Sequence, residues 1–515
     1  MQNEPWKPIV QTLAGALGQM PDATVLDKVL RNLDALCQQF DANSRGPVYD
    51  SVRSFTLEYI PLPSVFALLT TEHTALIEKV VGLLERLLAP IRYPGLDADF
   101  TEYLIAGLQH PHPAVQALAL DQLSKYQPED NEFAGKYIPW VLLLLSSNHG
   151  QVVKAAQELL VKVARYPSNL EALLSTDNQE IIQPLLNDDT VRFRVFELFA
   201  RIAQQSPVAF EACARSEVLL RLCQEARNPD LICRLSALEV FDELAATPAG
   251  HRFLYNHDVY TAYADILRAI HDDDVSTVLT QCSAVQFFAK LAGFPHVEFA
   301  ALAAEFRLFE AMMHLLDSDN RQLKQCTVVA IGTLGSQVKG LTVMARESRL
   351  LPRLAEEYSD ADADLAISCI RGLILIFGSG DDTQPAISEI LAKLYTEIRD
   401  SRTITYWVQH AKRDMEEDMS QVCIGILGEL ARYAWGRQAL SKNHDFMAYL
   451  FDRKANQTHT NKLAKYNLLA AILAADTLPD TPTVFDAGVH DLLTRYLREG
   501  PHYVPHEASV ATQNL

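Results

Sequence analysis

NDDTVRFRVFELFARIA, from Asn187 to Ala203, combines a short polar turn with an amphipathic helix. On a helical wheel of about 100° per residue, three apolar side chains fall within roughly 40° of the anchor Val191 and form one stripe with it. They are Val195, Leu198 and Ile202. Phe193 and Phe196 fall on the far side of the wheel. The stretch predicts a helix that buries its stripe against a partner helix and carries aromatic side chains on another face.

The same pattern of a polar turn followed by an apolar helix recurs along the chain, in stretches that begin at Gln109, Ser146, Glu225 and Leu316. A further apolar run precedes each stretch, so the predicted unit is helix, short turn, helix. Consecutive anchors are separated by 37, 39 and 42 residues, at Val115, Val152, Val191 and Cys233. A helix pair that recurs about every 40 residues is typical of HEAT and armadillo repeats.

Strand signals are essentially absent, and we therefore predict an all-α fold, a right-handed HEAT/armadillo-type α-solenoid of stacked helix pairs. Residues 1–60 are predicted to form an N-terminal helical cap, and residues 61–498 the repeat solenoid. Residues 499–515 are predicted to be an extended C-terminal tail. Gly500 and Pro501 should end the last helix, because proline lacks a backbone N–H and glycine permits the turn.

The charge of the chain restricts its partners. Its 515 residues include 45 Lys plus Arg and 65 Asp plus Glu, a formal net charge of −20. Such a surface repels a phosphate backbone, so we expect no nucleic-acid binding and a basic protein surface as the partner.

The sequence also carries expectations about location. MQNEPWKPIV at the N-terminus lacks the basic and apolar regions of a signal peptide. The longest apolar stretch, IPWVLLLLSS from Ile138, is shorter than the roughly 20 residues of a membrane span. We therefore expect a cytoplasmic protein that binds no membrane and is monomeric when free, with the nucleus left open as a second location.

Motifs that carry chemistry are missing from the sequence. The eight cysteines include no C-x-x-C pair, and we interpret them as reduced, mostly buried thiols. No G-x-S-x-G, P-loop or H-E-x-x-H motif occurs. FGSGDD, from Phe377, follows a helix and is predicted to be an inter-helix turn rather than a phosphate loop. We therefore predict a protein that is not an enzyme and uses no cofactor and no metal.

Three residues of the opening stretch have candidate roles. Arg192 follows the anchor, as does the arginine with which HEAT units bond turn carboxylates, here Asp188 or Asp189. We interpret Phe196 as packing between neighbouring repeats. For Phe193 two interpretations stay open, a wedge between repeats and a contact in the concave groove.

An acid stands six positions after each anchor, at Asp121, Glu158, Glu197 and Glu239. Neighbouring helices pack about 8–10 Å apart, so these acids could form a ladder along the concave face. Two interpretations stay open, a solvated helix face and a docking surface. Together with Phe193, the four acids are our candidate partner-binding residues.

Several stretches together resemble one family. DDTVRFRVFELFARIAQQSP, IGTLGSQVKGLTVM, AKYNLLAAIL and YLREGPHYV, the last from Tyr496 to Val504, are similar to segments of the 26S proteasome non-ATPase regulatory subunit 5 family. The resemblance implies a HEAT/armadillo-like chaperone for assembly of the regulatory-particle base. It further implies binding to the C-terminal small domain of one AAA+ ATPase subunit, with its associated base subunits, and departure before the particle is complete.

Two alternatives within the same fold class remain, a solenoid adaptor for nuclear transport and a scaffold for phosphatase complexes. Importin-type grooves favour regular Trp/Asn arrays, whereas the four tryptophans of this chain, at positions 6, 140, 407 and 435, have no repeat spacing. A phosphatase scaffold should show more uniform repeats than these.

Overall fold

The computed structural model describes residues 4–17, 23–43, 46–90, 98–125, 133–269, 274–346, 349–360, 363–398, 402–479 and 481–503. Throughout these ranges the regular structure is helical, without a strand, which confirms the predicted all-α fold. The chain divides into two compact units, Met1–Leu222 and Cys223–Leu515.

Fourteen of the described α-helices begin in the first unit. They are α1 (Trp6–Leu17), α2 (Ala23–Ala42), α3 (Pro47–Tyr59), α4 (Leu62–Ala67), α5 (Thr74–Leu88), α6 (Ala98–Leu108), α7 (Pro113–Ser124), α8 (Phe133–Leu143), α9 (Gly150–Val163), α10 (Pro167–Leu173), α11 (Thr176–Leu186), α12 (Val191–Ala203), α13 (Pro207–Arg215) and α14 (Glu217–Gln224). Helices α2, α5, α7, α9 and α12 pack against one another in that order. This succession is the stacked arrangement that the 40-residue period predicts.

The second unit, described by itself, has the same kind of arrangement. Its described α-helices are α15 (Leu231–Ala245), α16 (Pro248–Asn256), α17 (Val259–Arg268), α18 (Val275–Leu291), α19 (Phe299–Glu305), α20 (Leu308–Leu316), α21 (Arg321–Gly335), α22 (Val338–Met344), α23 (Leu350–Asp360), α24 (Ala363–Phe377), α25 (Pro385–Ile398), α26 (Thr403–Ala411), α27 (Glu417–Ala431), α28 (Ala434–Ser441), α29 (His444–Phe451), α30 (His459–Asp476) and α31 (Ala487–Glu499). Helices α15, α18, α21, α24, α27 and α30 pack consecutively.

Polar turns start the long helices by capping their first amide groups. At the start of α12, the Asp188 carboxylate accepts hydrogen bonds of 2.9 Å from the backbone N–H groups of Thr190 and Val191. Arg192 Nη1 donates to Asp189 Oδ1 at 2.6 Å, which confirms the predicted bond between this arginine and a turn carboxylate. The turn that marks the repeat in the sequence is therefore the cap that begins its helix.

An additional short helix precedes the predicted pair in the later repeats. In the second unit these three-helix groups are α16–α18, α19–α21, α22–α24 and α28–α30. In the group α25–α27 the first helix is longer, with 14 residues. At the start of α16, the Thr247 hydroxyl accepts from the Gly250 N–H at 3.1 Å and Pro248 takes the first helical position. A helix of nine residues is too short to show an apolar period in the sequence. Its local signals are only the capping threonine and the proline that follows it.

In α16, α22 and α28 a glycine in the first turn permits close packing. A Cβ at Gly250 would lie 2.0 Å from the carbonyl oxygen of Leu244, and one at Gly436 would lie 2.0 Å from that of Leu430. No other residue fits at such a distance, so glycine lets the short helix lie directly on the end of the long helix before it.

Other local predictions can be compared with the structure. FGSGDD does form the turn between α24 and α25, and six of the eight cysteines are buried. The last helix ends at Glu499, and Gly500 follows with φ 85°, as predicted. Residues 504–515, most of the predicted tail, lie outside the described residues. The boundaries at residues 60 and 498 stay predictions.

One arginine contacts both α31 and the residues that follow it. The Arg453 guanidinium lies 3.3 Å from the ring centroid of Tyr496 and 5.3 Å from that of Tyr503. It also donates to the carbonyl oxygen of Gly500 and to the carboxylate of Glu499, both at 2.8 Å. The segment after α31 is therefore held against the preceding repeat by one cation between two aromatic rings.

Within the described ranges, no single helix combines the length and the apolar composition of a membrane span. The pair α21 and α22 passes the two criteria only when taken together, and it is bent by 111° at the break between the helices.

Candidate docking surface

Three of the candidate acids lie on consecutive, directly packed helices of the first unit. Asp121 is on α7, Glu158 on α9 and Glu197 on α12, and α9 contacts both of the other helices. We refer to Asp121, Glu158 and Glu197 as the acidic ladder. The structure therefore brings these three carboxylates onto adjacent helices.

The ladder carboxylates differ in their surroundings. Asp121 is exposed and accepts a 3.1 Å hydrogen bond from Gln122 Nε2, with Lys125 Nζ 3.6 Å away. Glu158 is exposed, and among the described residues it makes no hydrogen bond or ion pair. Glu197 is half-buried and accepts from Gln157 Nε2 at 3.2 Å. Glu158 is thus the ladder acid most open to a basic partner.

Gln157 sets the position of Glu197. This glutamine of α9 is almost fully buried, and its Nε2 donates both to the Glu197 carboxylate and to the Arg194 carbonyl oxygen, the latter at 2.9 Å. Arg194 in turn donates from Nη1 to the carbonyl oxygens of Leu145 and Ser147 at 2.7 and 2.9 Å. Sequence reasoning missed both residues, because a single polar side chain inside an apolar helix carries no periodic signal.

Two lysines near the ladder are occupied at helix ends. Lys125 Nζ donates to the carbonyl oxygen of Leu88 at 3.1 Å, and Lys162 Nζ donates to that of Ser124. Each lysine therefore bonds the C-terminal end of the preceding long helix, where the helix dipole is negative. Lys125 also lies 3.6 Å from the Asp121 carboxylate, whereas Lys162 forms no ion pair with a ladder acid among the described residues.

The two phenylalanines of α12 have different environments. Phe196 is 1% exposed, so its side chain belongs to the core. Its interpretation as packing between neighbouring repeats agrees with this burial and stays a prediction. Phe193 is half-buried. Its ring meets the Phe196 ring edge-on at 5.6 Å, and the Arg192 guanidinium lies 5.4 Å from its centroid. One side of Phe193 is therefore packed while part of the ring stays open to solvent, and both of its interpretations remain compatible with this position.

The fourth candidate acid, Glu239, belongs to the second unit. It is exposed on α15. One turn further along the same helix, Asp242 forms an ion pair with Lys290 of α18. Burial raises the pKa of Asp242, while its bond to Lys290 acts to lower it. Glu239 itself faces solvent, as a docking residue requires.

An apolar cavity of about 270 Å³ lies between α4, α6 and α7. The rings of Phe66 and Tyr103 stack at 4.5 Å along its wall. The polar lining is satisfied internally, since His110 Nε2 is 2.9 Å from the Leu69 carbonyl oxygen and Gln122 bonds the first ladder acid. The cavity can therefore hold an apolar group and lies next to the acidic ladder.

The described residues were also compared with the requirements of a metal site. Across the part of the chain that the structure describes, no group of three or more His, Cys, Asp or Glu side chains could hold a metal ion. The candidate surface consists of separate carboxylates, one aromatic ring and an apolar cavity. Such an arrangement can bind another protein, and charge complementarity would orient that partner.

Comparison with solved structures places the fold among α-solenoids. The chain resembles Kap121p bound to Pho4p with a TM-score of 0.55 at 14% identity, covering 92% of this chain and 46% of that one. It resembles importin beta with a TM-score of 0.51 at 13% identity, covering 96% of this chain and 67% of that one. These likenesses confirm the HEAT/armadillo-type solenoid and concern the fold alone.

Comparison with known sequences identifies relatives over most of the chain. The human protein named 26S proteasome non-ATPase regulatory subunit 5 is 24% identical over 476 residues, covering 88% of this chain and 90% of its own length. The Bos taurus protein of the same name is 23% identical over 463 residues, with the same coverage. The family model described as Proteasome non-ATPase 26S subunit matches residues 23–514. The chain therefore belongs to the proteasome non-ATPase 26S subunit family.

Proposed function

We propose that this protein is a chaperone for assembly of the 26S proteasome regulatory-particle base. It binds the C-terminal small domain of one AAA+ ATPase subunit, together with the base subunits associated with that ATPase, and dissociates before the mature particle forms. The observation that carries the proposal is the family match over residues 23–514, with relatives named as regulatory subunit 5 along about nine-tenths of their length. Its action is binding without catalysis, in keeping with a family of non-ATPase subunits and a solenoid fold.

The charge of the surface supports a basic protein partner. Glu158 and Asp121 are exposed on adjacent helices of the first unit, and the chain as a whole carries a net charge of −20. Carboxylates that remain in solvent speed the encounter with a basic domain, although each adds little to the final affinity. An acidic solenoid of this kind can capture its partner quickly and still release it.

Affinity therefore needs a contact that excludes water. Phe193, half-buried against Phe196, offers an aromatic ring next to Glu197 on the same helix. Aromatic side chains that become fully buried on binding dominate the energy of many protein interfaces. In our proposal Phe193 supplies such an anchor, and Glu158, Glu197 and Asp121 supply acidic contacts in the same unit. Glu239 supplies a further acidic contact in the second unit.

A bound solenoid explains how the protein acts during assembly. It covers a long surface of its partner without requiring a deep pocket. While the ATPase small domain is covered, other subunits are kept from docking there prematurely. Release then exposes the same surface when the correct neighbours are present.

Affinity purification of the tagged full-length protein from its cells, followed by mass spectrometry, tests the proposal. We expect base ATPase subunits in substoichiometric complexes that lack the 20S core particle. Mature particles that contain the 20S core would contradict the chaperone role. Recovery of nuclear-transport components or of phosphatase subunits would support the adaptor or scaffold alternative instead.

We further propose that the protein acts in the cytoplasm, with the nucleus as a second location. Imaging of the chain fused at its N-terminus to a fluorescent protein tests this proposal. Accumulation in a membrane-bound organelle other than the nucleus would contradict it.

A further inference from the structure

Four of the eight cysteines recur on four consecutively packed long helices of the second unit. They are the sixth to eighth residues of their helices, Cys282 on α18, Cys326 on α21, Cys369 on α24 and Cys423 on α27. Cys369 and Cys423 are 0% exposed and Cys282 is 5% exposed, whereas Cys326 is half-buried. Among these four thiols, Cys326 is the one that a small solute can reach.

Cys282 and Cys326 lie next to each other across the α18–α21 contact. The Cys282 Sγ is 3.8 Å from the carbonyl oxygen of Gln322. Within an α-helix the carbonyl of residue 322 accepts the N–H of residue 326, so this Sγ lies beside the turn that carries Cys326. The two thiols are close enough that each affects the ionisation of the other.

The pair is asymmetric in its chemistry. The interaction with the Cys282 thiol lowers the pKa of Cys326, although burial acts to raise it. The same interaction raises the pKa of Cys282, and burial raises it further. Since the thiolate is the nucleophile of a cysteine pair, Cys326 is the reactive member and Cys282 the resolving one. Gln322 and Val329 are exposed on the same face of α21, which leaves an approach to Cys326.

We propose that Cys326 and Cys282 are a peroxide-oxidisable pair that closes into a disulfide between α18 and α21. In the first step the Cys326 thiolate attacks hydrogen peroxide. An S–O bond forms, the O–O bond breaks, and the leaving hydroxide takes a proton to become water. Cys326 is then a sulfenic acid.

In the second step the Cys282 sulfur attacks the Cys326 sulfur. An S–S bond forms, the S–O bond breaks, and the hydroxyl group leaves with the Cys282 proton as a second water molecule. The two thiols lose two electrons in total, and the peroxide accepts them. The product joins two consecutive repeats covalently, which is independent of the identity of any partner.

The test uses the purified full-length protein, fully reduced and then exposed to hydrogen peroxide. Free thiols are alkylated, and the digested chain is analysed by mass spectrometry without reduction. We expect two thiols to be lost per chain and a cross-linked peptide pair containing residues 282 and 326. Retention of both thiols, or loss of thiols at other positions with these two intact, would overturn the proposal.

Variants distinguish the reactive from the resolving cysteine. In Cys282→Ser, peroxide should leave Cys326 as a sulfenic acid that a dimedone probe labels, with no cross-link. In Cys326→Ser, peroxide should leave Cys282 unmodified on the same timescale. Cys37→Ser is the matched control, because Cys37 is also half-buried but burial raises its pKa, and it should not change the cross-link. Equal peroxide reactivity of the Cys326→Ser variant and the wild type would overturn the assignment of Cys326. Circular dichroism of each variant confirms that it has folded.

Discussion

Replacing Arg437 by methionine tests the polar network that joins α28 to α30 and to the loop before α31. Arg437 is 0% exposed. Its Nε donates to Asp476 Oδ1 at 2.8 Å, and its Nη1 donates to Asp382 Oδ2 and to the Ala431 carbonyl oxygen, both at 3.1 Å. A fourth bond, from Nη2 to the Pro482 carbonyl oxygen at 3.2 Å, holds the loop before α31. Methionine fills much of the same volume but satisfies none of these acceptors.

The expected cost follows from what the substitution leaves behind. Asp476 is 1% exposed and would stay buried without the guanidinium that pairs with it. Breaking a buried ion pair from one side typically costs about 3–5 kcal/mol, and we expect Arg437→Met to lower the free energy of unfolding by this amount. Arg495→Met is the matched control, because Arg495 is 61% exposed and lies 3.9 Å from Glu499. The substitution of Arg495 should lower the free energy of unfolding by at most about 0.5 kcal/mol.

Urea unfolding followed by far-UV circular dichroism measures both variants. The double variant Arg437→Met with Asp476→Asn should cost less than the sum of the single changes, because the uncompensated charge is removed. The free energy of unfolding of Arg437→Met could lie within about 1 kcal/mol of the wild-type value, or the effects of the two substitutions could simply add. In either case the network does not have the role that we assign to it.

The same network predicts the direction of a pH dependence. Burial acts to raise the pKa of Asp476, but hydrogen bonds from the Phe485 N–H, His490, the Val484 N–H and Arg437 together hold this pKa below its usual range. A carboxylate with a lowered pKa stabilises the fold above its unfolded pKa of about 3.9, and the contribution disappears as the pH falls through the folded value. The wild type should therefore lose more stability than Asp476→Asn when the pH is lowered from 5 to 3.

Further substitutions address the docking surface and the core. Phe193→Ala should weaken ATPase binding by about 2 kcal/mol and cost at most about 1 kcal/mol of stability, whereas Val195→Ala, at a fully buried position, should cost about 1–3 kcal/mol of stability. Calorimetry measures the melting temperature and the binding of both variants. A lowered melting temperature of Phe193→Ala, with normal binding by the folded protein, would contradict the role of Phe193 as a contact. When Gln replaces Glu158, Glu197 and Glu239 together, the association rate measured by stopped flow should be lower and less dependent on salt. An unchanged association rate would show that these acids do not belong to the interface. Burial lowers the pKa of Lys465 to about 7. Between pH 7 and about 8.5 the unfolding free energy of the wild type should therefore rise relative to that of Lys465→Met, by up to about 1.4 kcal/mol per pH unit. Parallel pH profiles of the two proteins would refute this. Gly436→Ala should destabilise by about 1–3 kcal/mol because its Cβ would lie 2.0 Å from the Leu430 carbonyl oxygen, and an unchanged urea midpoint would show that the backbone shifts freely.

The repeat and its helices could be read from local patterns. Apolar spacing and the Asp-rich turns are properties of a few neighbouring residues, so α12 begins at Val191, where the sequence predicts it. The bond between Arg192 and Asp189 spans three residues and was predictable for the same reason. The short first helix of most later repeats was not predictable, because a helix of nine residues, such as α16, is too short to establish an apolar period.

The candidate site was predictable only in part. The interval of six residues from each anchor placed Asp121, Glu158 and Glu197 on packed helices, because the helical period fixes the face on which each residue lies. It did not indicate that Gln157 would bond Glu197, a contact between residues 40 positions apart.

The sequence by itself determined an all-α solenoid, its repeat length, its acidic charge and the family to which it belongs, because each is written in composition or in short-range periodicity. Only the tertiary structure decided which polar side chains meet. Cys282 approaches the turn of Cys326, and Arg437 reaches Asp476, across 40 or so residues of intervening chain. Such contacts depend on the distance and rotation between stacked repeats, which are set by the packing of many side chains at once.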